Sequence, residues 1–305
     1  MKFGLTHANT GRFVRPAAAA GLARAAEAAG FESLWTVEHV VLPTVYEPNY
    51  PETPDGRFPF EVTREIADPL IWMTHAGAVT ERILLGTAVL VLPQRNPLVT
   101  AKEVATLDVL TGGRVLLGVG AGWLREEFAA LGADYAGRGT RLTESIQAMR
   151  ALWTGRAAGY QGTTTAFADV VCSPAPIRGT VPIHVGGYSV PAAVRAGRHG
   201  DGFFPGGYGD RARLHALITR ARQEAAGAGR DPDALEITAR WTKDPAGLTD
   251  TAALHELAEI GVDRVMVPAA AFDRSDDRPG DDRQDDDRLA ADLADFGDRM
   301  IGQFA

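Results

Sequence analysis

Short, nearly continuous apolar runs alternate along the whole chain with longer segments of helical periodicity. Strands are predicted at Lys2–Thr6, Ser33–Val37, Ile83–Val91, Val115–Val119, Pro182–Val185, Gly202–Phe204, Leu235–Trp241 and Asp263–Val267. Runs such as Ile83-Leu84-Leu85 and Val115-Leu116-Leu117 have no polar face, as a parallel strand covered on both sides requires. Helices fit between them at Pro16–Ala29, Pro69–Val79, Pro97–Leu110, Thr140–Trp153, Pro191–Gly200, Arg211–Ala228 and Thr251–Ile260. Prolines 16, 69, 97 and 191 fall in first turns, where the missing N–H does no harm. Eight strands with helices between them predict an α/β fold, a closed (β/α)8 TIM barrel with insertions in its βα loops, rather than an open sheet.

Two phrases, Ala29-Gly30-Phe31 and Ile260-Gly261-Val262, read as helix end, glycine cap and strand entry. They are ordinary αβ turns and receive no functional role. Three segments break the pattern. Residues 43–67 are too long for a common βα loop and are rich in Pro, Tyr, Phe and Glu. Residues 160–177 read as a small hairpin with a proline-rich connector. Residues 273–288 mix Asp, Arg and Gly with almost no apolar side chain, and read as a solvated, flexible loop. No domain boundary is visible, so residues 1–305 are taken as one domain.

Composition narrows the function. The 305 residues are 45% hydrophobic, enough for a large core. No uncharged apolar stretch reaches the ~18 residues of a membrane span, and the start of the chain lacks the layout of a signal peptide. Cys172 is the single cysteine, so no internal disulfide forms. These features point to the cytoplasm and away from a membrane partner. A net charge of -8 disfavours nucleic acid. The three lysines are Lys2, Lys102 and Lys243; only Lys243 is a candidate for Schiff-base chemistry, and nothing around it, Trp241, Thr242 and Asp244, points to that chemistry.

Barrel chemistry sits after the C-terminal ends of the strands. His7, Glu38-His39, Gly118–Trp123, Gly186-Gly187-Tyr188-Ser189 and Pro205-Gly206-Gly207 occupy such positions. No His-x-His pair or other ligand cluster occurs, so no metal is expected. Gly186-Gly187-Tyr188-Ser189 lies between a strand and a helix start. Glycines there let the backbone approach a ligand, and the helix offers free N–H groups to an anion. This is a phosphate site in preference to a bare tight turn. Arg125, Glu126 and Glu127 open the next helix, where acids suit the dipole; capping and a site role are both open for them.

Several ordered motifs resemble the luciferase-like monooxygenase superfamily, and especially its coenzyme F420-dependent (deazaflavin) oxidoreductase branch. They are Ala29–Trp35 with Glu38-His39, Arg82–Val89, Pro93–Pro97, Gly112–Arg114 leading to Leu117–Trp123, Pro182–Gly187 and Gly200–Phe203. The resemblance covers residues 1 to about 270. It implies His39 at the reacting edge of a flavin-type ring with Glu38 beside it, these two being the catalytic candidates. Ala88-Val89 matches a strand bulge where members often carry a non-prolyl cis peptide behind the ring. Gly186, Gly187, Tyr188 and Ser189 would hold the cofactor phosphate, with Phe203 bordering the same site, and Gly120 lies in a loop tight enough for a flat ring to lie over it. His7, Trp123, Tyr46 and Glu126 would face the substrate.

One departure bears on the substrate. The sugar-phosphate branch carries an acid in the loop where this chain has Trp123, which argues against that substrate. Trp123 and residues 43–67, with Tyr46, Tyr50, Phe58 and Phe60, would instead form an apolar pocket under a water-excluding lid. The expected activity is hydride transfer between a deazaflavin and a small organic substrate. An FMN-dependent monooxygenase and a non-catalytic flavin-binding protein are the alternatives. Arg178, Arg195 and Arg198 are candidates for the acidic tail of a deazaflavin, and the resemblance implies a homodimer.

Overall fold

A ring of parallel strands, each hydrogen-bonded on both sides, forms the centre of the molecule. The computed structural model describes residues 1–51, 53–206, 210–241, 250–273 and 282–304. In chain order the elements are β1 (Lys2–Thr6), α1 (Pro16–Ala28), β2 (Ser33–Thr36), α2 (Pro69–Gly77), β3 (Leu84–Thr87), β4 (Leu90–Val91), α3 (Pro97–Leu110) and β5 (Val115–Gly120). There follow α4 (Arg125–Ala130), α5 (Arg138–Leu152), β6 (Ala158–Gln161), β7 (Ala166–Val170), β8 (Ile183–Gly186), α6 (Val190–His199) and β9 (Gly202–Phe204). Last come α7 (Arg211–Gly227), β10 (Glu236–Arg240), α8 (Thr251–Glu259), β11 (Arg264–Pro268) and α9 (Asp282–Phe296). Strands run in the order β3-β2-β1-β11-β10-β9-β8-β5, and β3 pairs with β5 to close the (β/α)8 barrel.

Alternation along each strand separates two apolar layers. Leu5, Leu34, Leu85, Leu117, Val185, Phe203 and Val265 face outward into the main core shared with the helices. Trp35, Leu116, Phe204 and Met266 point inward and fill the barrel. The interior is taken up by a few large groups. A Cβ on Gly86 would lie 2.5 Å from the Trp35 ring, so glycine on the neighbouring strand makes room for the indole. Below it, buried Arg264 donates to Glu32 and Glu236 and lies 5.4 Å from the Trp35 ring. This group plugs the bottom of the barrel.

Local chemistry sets the helix starts. Asp68 and Asn96 each accept two backbone N–H groups ahead of Pro69 and Pro97. Gly30 and Gly261, at φ +86° and +87°, make the left-handed turns expected there. Residues 160–177 do contain a hairpin, formed by antiparallel β6 and β7.

Two expectations are corrected. The single strand at 83–91 is broken into β3 and β4 by a cis Ala88-Val89 peptide. The loop predicted at 273–288 ends early. Residues 282–288 belong to α9, whose Leu289, Leu293 and Phe296 supply an apolar stripe, while 274–281 lie outside the described residues. Asp273 is ion-paired to Arg12 at 3.0 Å. Among the described residues, no helix is long and apolar enough to cross a membrane.

Candidate active site

A cavity of about 790 Å³ lies at the C-terminal ends of the strands, the end of the barrel where side chains from many strands converge. His7, Glu38, His39, Ala88, Val89 and Gly120 line it, as do Trp123 and residues 186–189. The sequence therefore named residues that the fold gathers from β1, β2, β3, β5 and β8.

His39 follows β2 and is held by a carboxylate. Its Nδ1 lies 3.0 Å from Glu127 Oε2, and Glu127 Oε1 accepts the Val40 amide at 2.7 Å. The Glu127 side chain is 2% exposed. With Nδ1–H donating to this carboxylate, Nε2 is left as the lone-pair nitrogen of a ring that lines the cavity. Phe58 and Trp123 flank the imidazole at 5.0 and 6.0 Å between centroids.

Glu38 has a different task. Arg95 Nε donates to it at 3.0 Å, and the Val91 amide also donates to it. The bond to Val91 anchors the segment just beyond the cis peptide. Burial pushes the Glu38 carboxyl up, against the opposing charge of Arg95. Both carboxylate oxygens are occupied by these partners, so Glu38 braces the bulge.

The bulge forms one wall. A Cβ on Gly186 would sit 2.6 Å from Val89 Cγ1, and one on Gly120 would strike Val89 Cγ2. Glycines at these positions on β5 and β8 leave Val89 its place. Gly187, at φ +133°, continues into Ser189, the N-cap of α6. Arg195 and Arg213 lie on the same side. Arg195 Nε donates to Thr143 Oγ1 at 2.9 Å, and Arg213 lies 4.3 Å from the Tyr188 ring. Among the described residues neither arginine has a carboxylate within ion-pairing distance, and burial lowers the Arg195 pKa. A half-buried cation beside a glycine turn and a helix N-terminus is an arrangement able to take an anion.

The opposite wall is aromatic. Phe58 stacks on Trp123 at 6.2 Å, Tyr50 meets Trp123 edge-on at 5.1 Å, and Phe60 meets His7 at 5.9 Å. Segment 43–67 thus does cover the cavity. Burial, then the charges of Arg240 and Arg64, hold the His7 imidazole down to about 3, so it is neutral near pH 7.

Some expected site residues are displaced. Phe203 faces the outer core and does not touch the cavity; Phe204, one residue on and paired with Gly186, does. Tyr46 stands behind Trp123, where its hydroxyl accepts the Phe58 amide at 3.1 Å. Glu126 caps the Glu47 amide outside the cavity, and its neighbour Glu127 is the acid that reaches the site. Arg198 pairs with Glu224, and Arg178 precedes β8 on the far face, so Arg195 alone of that trio lines the cavity. Gly206 lines it too, whereas Gly207 and Lys243 lie outside the described residues. Among the described residues, no group of three or more His, Cys, Asp or Glu could hold a metal ion.

Comparison with known proteins gives the family. An uncharacterized protein of Mycobacterium tuberculosis is 38% identical over 186 residues, 61% of this chain and 65% of that protein. The F420-dependent glucose-6-phosphate dehydrogenase of Mycolicibacterium smegmatis is 35% identical over 239 residues, 73% of this chain and 65% of that enzyme. The chain thus spans just under two thirds of the length of these relatives. The solved structure of an F420-dependent secondary alcohol dehydrogenase, with an F420-acetone adduct, superposes with a TM-score of 0.73 at 19% identity, covering 98% of both chains. The family model of the luciferase-like monooxygenases matches residues 1–302, and the chain belongs to that family.

Proposed function

We propose that the chain is a deazaflavin (coenzyme F420)-dependent oxidoreductase that moves a hydride to or from a small organic substrate. The carrying observation is one cavity that joins a glycine turn with Arg195, an apolar wall at Ala88-Val89 and a carboxylate-held histidine. The named relative that depends on F420 supports the choice of cofactor.

The residues fit such a group. Gly186–Ser189, the N-terminus of α6 and Arg195 would take its phosphate, where a Cβ on Gly186 would collide with Val89. Ala88, Val89 and Gly120 would back its ring. When bound, the deazaflavin supplies a carbon that accepts or releases hydride. The protein's own contribution is proton handling and dryness. A hydride leaving a C–OH carbon must be matched by a proton leaving the oxygen. His39 Nε2 is the acceptor for it, and Glu127 stabilises the imidazolium that forms. Residues 43–67 and Trp123 keep water from the transfer.

FMN shares the ring outline and the phosphate, and a monooxygenase would use the same glycine turn. Turnover separates them. Reduced deazaflavin is mixed with a panel of aldehydes and ketones without oxygen, and reduced FMN with the same panel in air. Consumption only in the first arm, lost in His39→Ala with cofactor binding retained, supports the proposal. Consumption only in the second arm refutes it.

A further inference from the structure

The turn that carries Phe58 is closed by its own bonds. The Tyr50 amide donates to Gly56 O at 2.7 Å, Thr53 Oγ1 donates to Arg57 O at 2.7 Å, and the Arg57 amide donates to Asp55 Oδ1 at 3.0 Å. Gly56, at φ +69°, approaches Pro48 so closely that a Cβ would lie 2.1 Å from its carbonyl oxygen, so a side chain there would break the turn. The start of the segment is tied to α4, where the Glu47 amide donates to Glu126 Oε1 at 2.9 Å. Its end is tied through the Phe58 amide, which donates to the Tyr46 hydroxyl at 3.1 Å, and the Tyr46 ring meets Trp123 at 5.9 Å. These bonds hold Phe58 in one place.

That place is the hub of the aromatic wall. The Phe58 ring centre lies 5.0 Å from His39, 5.5 Å from Tyr50, 5.4 Å from Phe60 and 6.2 Å from Trp123, and all five side chains line the cavity. Trp123 stands further from the imidazole, at 6.0 Å. The space beside His39 is therefore bounded by rings, and Phe58 is the nearer of the two that touch it. Charge in this space has one sign. Glu127 is buried there, and among the described residues His39 is its only ion-pair partner. Arg64 and Arg138 also line the cavity but stack on other rings, Arg64 on Phe60 at 4.5 Å and Arg138 on Tyr135 at 3.9 Å. An anion brought to His39 meets the Glu127 carboxylate and loses its water to the rings, and both effects oppose it.

We propose that Phe58 determines specificity: the substrate is an uncharged ketone or secondary alcohol whose apolar substituent packs against Phe58, Tyr50 and Trp123, and Phe58 limits the size of that substituent. Apolar and aromatic groups gain from such a wall by burial and by ring contact. Shortening Phe58 to alanine removes one ring from the wall, so the substituent accepted should grow by about one ring. This inference rests on the oxidoreductase reading for what happens to the substrate, not for its selection.

Four ketones probe it: acetophenone, 2-acetylnaphthalene, 4-acetylbenzamide and 4-acetylbenzoate. Each is titrated calorimetrically into the deazaflavin-loaded protein and into the cofactor-free protein. The last two are alike in shape and differ in charge, and the benzamide is expected to bind at least tenfold tighter. In Phe58→Ala the affinity for 2-acetylnaphthalene relative to acetophenone should rise at least tenfold. A merely structural role for Phe58 would weaken both ketones alike and leave that ratio where it was. Should Phe58→Ala fold poorly, Phe58→Val gives the same readout. An unchanged ratio in a folded variant, or benzoate binding as tight as benzamide, overturns the proposal. Both selectivities in a protein that reduces no ketone with either deazaflavin or FMN uphold the role of Phe58 and defeat the oxidoreductase reading. Deazaflavin-dependent turnover with a ratio that Phe58→Ala leaves unchanged does the reverse.

Discussion

Glu127 Oε2 lies 3.0 Å from His39 Nδ1, while Glu127 Oε1 takes the amide of Val40, the residue that follows that histidine. One buried carboxylate thus fixes both the ring and the backbone that carries it. The neutral ring is expected to hold its proton on Nδ1. In ¹⁵N-edited spectra Glu127→Ala should lose that tautomer preference, and the orphaned amides should cost about 1–3 kcal/mol in urea unfolding. An unchanged tautomer would mean that Glu127 does not orient His39.

The glycines facing Val89 are expected to matter more for binding than for folding. Gly186→Ala puts a methyl 2.6 Å from Val89 Cγ1. Overpacking of this kind costs about 1–3 kcal/mol, and here the displaced group is the wall itself. Cofactor affinity should fall at least tenfold in a fluorescence titration. A variant that binds normally would remove Val89 from the ring site.

Arg195→Met is expected to weaken binding of a phosphate-bearing cofactor by roughly 10–100-fold, the range for a charge-assisted bond. The thermal melt should move little, since only bonds to Thr143 and Gly139 are lost. Equal affinity in variant and wild type would place the phosphate elsewhere.

Acid should destabilise the fold in two stages. Burial, then the Arg264 charge, lowers the His184 imidazole from 6.5 to about 4, so below pH 6.5 the unfolded chain binds the proton first. Stability is lost from pH 6.5 down to about 4, by an amount on the order of 3 kcal/mol. His7 adds to this slope in the same direction. The Glu236 carboxyl is held down to about 2, with the Arg264 charge and the Lys2 bond outweighing burial; its contribution is present above pH 4.5 and lost as pH falls toward 2. Urea midpoints at pH 7 and pH 5 test the first stage. His184→Asn should show a shallower fall between them, and an identical fall would contradict the assignment.

The barrel was legible because it rests on alternation and apolar runs, which neighbouring residues carry. The ends of α3, at Pro97 and Leu110, fall where the sequence places them. Gly186–Ser189 was legible because a glycine turn before a helix has a local signature. Glu127 was not, because at a helix start it looks like Glu126, and only the packing of α4 against the β2 loop separates them. Phe203 and Phe204 differ by one step of strand register, and in a strand of three residues, Gly202–Phe204, both being aromatic, the sequence carries no alternation to say which points inward. Arg64 sits in an insertion with no repeating pattern, so its placement depends on Asn9 and Thr10, more than fifty residues away.

The most direct test of the account is parallel fluorescence titration of the purified protein with coenzyme F420 and with FMN. Micromolar binding of F420, at least tenfold tighter than FMN and weakened by Arg195→Met, is the expected result. Tight FMN binding with none of F420, or binding of neither, would contradict it.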